Sequence, residues 1–139
     1  MKPMIRCFLA LCALLLPIAA SAQQQGLEID IVGGHASALP IAVVPMPYQG
    51  SAAAPDTDVA AVIRANLDRS GQFRTLPERD IVERPTRGAE VQYPTWRMLR
   101  QDFLVVGRVL DAAGGYRVEY ELFDVAKQER VLGMAMTGR

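Results

Sequence analysis

A chain of 139 residues, half of them hydrophobic, has the length of one domain and enough apolar side chains for a single core. Its 15 basic and 15 acidic side chains are interspersed, and nearly every cation is an Arg. That balance argues against nucleic acid, which demands a basic face, and against a polybasic membrane surface.

Met1 to Ala22 reads as an export leader. Lys2 and Arg6 form a basic start, Phe8 to Ile18 is an apolar stretch, and Ala20-Ser21-Ala22 has the small-x-small pattern of a cleavage site. The apolar stretch falls short of the roughly 20 residues a membrane span needs, and it carries Pro17. The exported chain is expected to begin at Gln23. Both cysteines, Cys7 and Cys12, lie in the leader, so no disulfide is expected afterwards. Leu9-Ala10-Leu11-Cys12 is a poor lipidation signal, because Leu11 is bulky and the apolar stretch would be cut in half.

Gln23 to Gly26 is polar. Leu27 to Val32 alternates apolar and acidic residues, an edge-strand pattern, before a Gly33-Gly34 turn. Ile41 to Val44 is β-branched and bounded by Pro40 and Pro45, as a central strand buried on both faces would be; the prolines limit it to four or five residues. Gln49 to Pro55 is loop. Asp56 or Thr57 can cap a helix in which Val59, Val62, Ile63 and Leu67 face inward, Arg64 and Asp68 face outward, and Gly71 is the stop.

Phe73 and Leu76 anchor a short extended piece. Arg79 to Val82 can form one turn, Thr86 to Glu90 reads as surface loop, and Pro94 opens a short helix with Trp96, Leu99 and Met98 as its stripe. Asp102 to Leu110 is a second apolar strand, Asp111 to Gly115 is turn chemistry, and Tyr116 to Leu122 alternates cleanly. Tyr116, Val118, Tyr120 and Leu122 are expected to face the core, with Arg117, Glu119 and Glu121 outside. A turn over Ala126 to Glu129 leads to a third strand, Val131 to Thr137. The order predicts an α+β (α/β) domain, a mixed sheet of about five strands with two helices on one face.

Catalytic constellations are hard to assemble. His35, the only histidine, sits beside two glycines in a loop, and with no cysteine after the leader a metal site would need distant carboxylates. Ser37, Ser51 and Ser70 lack a nucleophile elbow, and the glycines form neither a dinucleotide nor a Walker pattern. Glu119 and Glu121 read as a solvated strand face. No catalytic residue, metal or cofactor is assigned.

The leader, the strand Leu27 to Val32, the run Pro40 to Pro45, the helix end Asn66 to Phe73, Pro94-Thr95-Trp96 and Phe103 to Gly107 together resemble, in the same order, the amino-terminal domain of the TolB family. That family is the periplasmic component of the Tol-Pal system of Gram-negative bacteria. The resemblance implies a non-catalytic interaction module acting in outer-membrane invagination at cell division and in envelope integrity, and exploited for colicin import. It implies that the first mature residues contact the carboxy-terminal domain of TolA: here Gln23, Gln24, Gln25, Gly26, Leu27, Glu28, Ile29, Asp30, Ile31 and Val32. The Gln-rich start departs from the family pattern. The family continues into a further helix on the sheet and a six-bladed β-propeller that docks on the lipoprotein Pal, so residues 23–139 are expected to lack that last helix and the propeller, either as a fragment or as a lone functional domain. Two alternatives are a free-standing envelope module that activates a cell-wall synthase and a small hydrolase using His35.

Overall fold

The computed structural model describes residues 37–139. The expected leader, Met1 to Ala22, the segment Gln23 to Val32 and His35 lie outside the described residues. Within them the order is β1 (Leu39–Val43), α1 (Val59–Arg69), β2 (Phe73–Thr75), 3-10 turns at Glu78–Asp80 and Gly88–Glu90, α2 (Tyr93–Met98), β3 (Phe103–Ala112), β4 (Gly115–Asp124) and β5 (Glu129–Gly138).

The strands make one mixed sheet in the order β2-β1-β3-β4-β5. β1 pairs in parallel with β2 and β3, and β3 to β5 form an antiparallel meander. β1 is therefore interior, although β3 holds the centre. Pro40 lies inside β1 rather than bounding it, and at no loss. Even-numbered residues of β1 bond to β3: Val44 N–H donates to the Val105 carbonyl at 3.0 Å, and Asp102 N–H donates to the Pro40 carbonyl at 3.1 Å. In that register the missing N–H of Pro40 falls opposite residue 101, before β3 begins.

Ile41, Ala42, Val43 and Val44 are all buried, none more than 3% exposed. Successive strand side chains point to opposite faces, so such a run needs a cover on each side. One core holds Ala42, Val44, Leu104, Val106 and Phe123 against Trp96 of α2. The other holds Ile41, Val43 and Val105 against Ala60 of α1. The mixed five-stranded sheet with two helices is as expected, but the helices lie on opposite faces rather than one; burial of the run Ile41 to Val44 requires it.

α1 is capped by Asp58, whose carboxylate accepts from Ala61 N–H at 3.0 Å, not by Asp56 or Thr57. Ala60 is the fully buried residue, while Val62 is turned to solvent. Arg64, expected outside, has a largely buried side chain that donates to the Val43 carbonyl at 3.0 Å and pairs with Glu78 at 2.8 Å. Gly71 ends the helix in the left-handed region, at φ 70°. Asp68 then accepts from Thr75 N–H and Oγ1, tying α1 to β2.

In α2, Pro94 stands in the first turn and Trp96 is fully buried, whereas Met98 is exposed and outside the apolar stripe. Truncation of Trp96 to Ala leaves a cavity at the centre of its core. Trp96→Ala is expected to lose about 3–5 kcal/mol, measured by urea unfolding.

Candidate functional site

The two faces of the sheet are finished differently. On the α2 face, the turn at Gly88–Glu90 closes over β4: Gly88 N–H donates to Glu121 Oε1 at 2.9 Å, and a Cβ at Gly88 would lie 2.6 Å from the Phe123 ring. The expected surface loop is thus a docked one. Glu119 and Glu121 also lie on this face, and they are half-buried and paired rather than free. Arg108 reaches Glu119 at 2.7 Å, Arg117 reaches it at 2.9 Å, and Arg130 reaches Glu121 at 3.3 Å. The hydrogen bond from Arg108, then that from Arg117, holds the Glu119 carboxyl below its ordinary range.

On the opposite face, α1 covers β1 and β2 and stops there. Val118, Tyr120 and Leu122 of β4 project on this side beside Leu132, Met134 and Met136 of β5, as the cross-strand register requires. Of the β4 residues expected to face the core, Tyr120 and Leu122 pack against the core on the α1 side, yet they and Val118 are only half-buried, and on β5 Met134 and Met136 are 50% and 56% exposed. Val118, Tyr120, Leu122, Leu132 and Met136, together with Ile63, Leu67, Phe103 and Val105, line an open apolar groove of about 710 Å³. A contiguous apolar surface of this kind marks an interaction site. The alternation of Leu132, Met134 and Met136 was readable as a strand, but nothing local in it distinguishes a covered face from a bare one.

At the tip of the β3–β4 hairpin, Asp111 clasps the segment after β1. Its carboxylate accepts from Tyr48 Oη, from Ser51 N–H at 2.6 Å and Ser51 Oγ at 3.0 Å, and from Ala52 N–H at 3.3 Å. Tyr116 Oη donates to the Ala53 carbonyl at 3.0 Å, and the rings of Tyr48 and Tyr116 meet edge to face at 6.1 Å. The hydrogen bond from Tyr48, followed by that from Ser51 N–H, pulls Asp111 down to about 2. The same contact raises the Tyr48 phenol.

Ser51 is thus committed to the clasp, and Ser70 Oγ donates to the Leu67 carbonyl at 2.6 Å behind α1. Among the described residues no group of three or more His, Cys, Asp or Glu converges as metal ligands would. Among the same residues no helix is long and apolar enough to cross a membrane. The expected partner-contacting residues Gln23 to Val32 lie outside the described residues.

Among the described residues, an open mixed sheet with one helix per face and an apolar groove that none of these elements covers defines a small α+β domain. By sequence the chain belongs to the TolB amino-terminal domain family, whose pattern matches residues 27–131. It is 71% identical over its whole length to the Tol-Pal system protein TolB of Xanthomonas euvesicatoria pv. vesicatoria and to that of Xanthomonas campestris pv. campestris, covering 32% of each. The chain therefore spans about a third of the length of these curated relatives. Among solved structures it resembles TolB from Acinetobacter baumannii, at 25% identity and a TM-score of 0.58, over 71% of this chain and 23% of that one. The LpoB C-terminal domain from Salmonella enterica superposes with a TM-score of 0.55 at 8% identity, over 74% of this chain and 83% of that one; this is a likeness of fold alone.

The clasp makes a prediction about pH. A carboxyl whose folded pKa is depressed contributes stability above its unfolded value, near 3.9, and loses that contribution as pH falls through its folded value. The amide resonances of Ser51 and Ala52 are therefore expected to stay unmoved from pH 7 to pH 4 and to titrate with a midpoint of about 2. In Asp111→Ala they should shift to loop-like positions at every pH, and a wild-type midpoint near 3.9 would show the carboxylate to be free.

Proposed function

We propose that this chain is a periplasmic, non-catalytic protein–protein interaction module of the Tol-Pal system, acting in outer-membrane invagination during cell division and in envelope integrity. The observation that carries the reading is the family match along residues 27–131, together with 71% identity to TolB of the Tol-Pal system. The bare groove fits it, because a domain that works by contact needs a surface to be contacted. The module takes no cofactor.

Two surfaces divide the work. Gln23 to Val32 contacts the carboxy-terminal domain of TolA, adding as a strand to its edge. Main-chain bonds supply affinity, and Leu27, Ile29 and Ile31 fill pockets on one face. Deletion of residues 23–32 is expected to abolish TolA binding in calorimetry while leaving the circular dichroism of the remaining domain nearly unchanged. Binding that survives, or a domain that unfolds, makes the segment structural.

The groove is the seat of a further helix of the kind the family carries after β5, with Pal contact reserved to a following propeller. Appending the family's next helix is expected to raise the melting temperature and to suppress binding of an apolar dye. An unchanged melting temperature would leave the groove without that occupant.

A further inference from the structure

β5 closes one side of the sheet, and among the described residues it pairs with β4 alone. Which of its main-chain groups remain free follows from the ladder. Val109 N–H donates to the Pro47 carbonyl and its own carbonyl accepts from Gln49 N–H, while the Val105 carbonyl accepts from Val44 N–H. Odd-numbered residues of β3 thus face the β1 side and even-numbered ones face β4. Carried through the two antiparallel registers, Leu132, Met134 and Met136 bond to β4, and the N–H and C=O groups of Gly133, Ala135 and Thr137 point outward.

The edge lacks the usual defences. It is ten residues long, exposed throughout, and carries no charged side chain from Val131 to Gly138. Edge strands of soluble proteins are ordinarily kept short or interrupted by Lys or Pro, because unpaired main-chain groups invite another strand. The irregularity opposite Leu122 and Phe123 affects only its first residues.

We propose that β5 pairs antiparallel with β5 of a second copy of this chain, about a twofold axis at Met134. The strand is complementary to itself in that register. Met134 meets Met134 and Leu132 meets Met136 on the groove face, so every apolar residue there finds an apolar partner. Gly133 meets Ala135 on the other face, small against small, and these residues exchange the outward main-chain bonds. No like charges oppose each other. A shift of the axis by one position to Ala135 would set Leu132 against Gly138 and forfeit one apolar pair. A twofold contact demands such self-complementarity. The pairing joins two sheets into one of ten strands and makes the two grooves neighbours.

The test uses the whole chain exported with its own leader and purified from the periplasm. Sedimentation velocity is expected to show a concentration-dependent dimer. Ala135→Pro removes an outward N–H from each copy without touching the β4 ladder, and an edge strand tolerates it. It should raise the dimer dissociation constant about ten- to a hundredfold. Thr137→Lys, a second outward-edge change, should act the same way should the proline variant fail to fold. Met134→Cys places the two Cβ atoms roughly 4.5–5.5 Å apart and should form an intermolecular disulfide on mild oxidation, whereas Met98→Cys, exposed on α2, should not. A chain that stays monomeric, or that associates undiminished in both edge variants without the Met134 crosslink, overturns the proposal.

Discussion

The burial of Ile41 to Val44 on both faces of the sheet is the constraint on which the rest depends. Four consecutive apolar side chains within a strand cannot share one core. They require two, and two cores require a layer on each side. α1 and α2 fill those layers with opposite economies of size. α1 buries one small residue completely, Ala60, with Ile63 and Leu67 half-buried beside it, whereas α2 sends in one large residue, Trp96, from six residues of helix.

The parallel pairing of β1 with β2 and β3 follows from the same arrangement, because each connection must cross a face and return. The first crossing carries α1 on one side, and the connection from β2 to β3 carries the short turns and α2 on the other. The meander from β3 to β5 is a separate undertaking. Its first hairpin needs only a tight turn, supplied by Gly114 at φ 76°, and β4 and β5 extend the sheet beyond the strands that α1 covers. The contrast between a doubly covered first half and a singly covered second half arises at this junction.

How much of this was legible depends on the range of the interaction. Local chemistry announced the β3–β4 hairpin, the stop at Gly71 and the opening of α2 at Pro94, because turn and cap residues act within a few positions of themselves. The family resemblance too was carried by short runs such as Pro40 to Pro45 and Phe103 to Gly107. The cap of α1 was misplaced because Asp56, Thr57 and Asp58 are all competent, and only the path of the chain chooses among them. Arg64 was assigned to solvent by its charge, yet its long side chain reaches the Val43 carbonyl and Glu78, two groups that sequence distance hides. The sidedness of the helices was implicit in Ile41 to Val44, because four consecutive buried strand residues need a cover on each face, whereas the order of elements alone carries no sidedness.

The Asp111 clasp carries a consequence for folding kinetics. Its bonds to Ser51 join residues 60 apart in sequence, across the whole of α1, β2 and α2. Closing so long a loop before the intervening elements are in place carries an entropic cost that a few exposed hydrogen bonds do not offset. The clasp therefore belongs to the late steps of folding, after the parallel strands have met. Interactions absent from the transition state act on the rate of escape from the native state rather than on the rate of reaching it. Asp111 is in this sense a latch: it leaves the speed of assembly alone and lengthens the lifetime of what has been assembled.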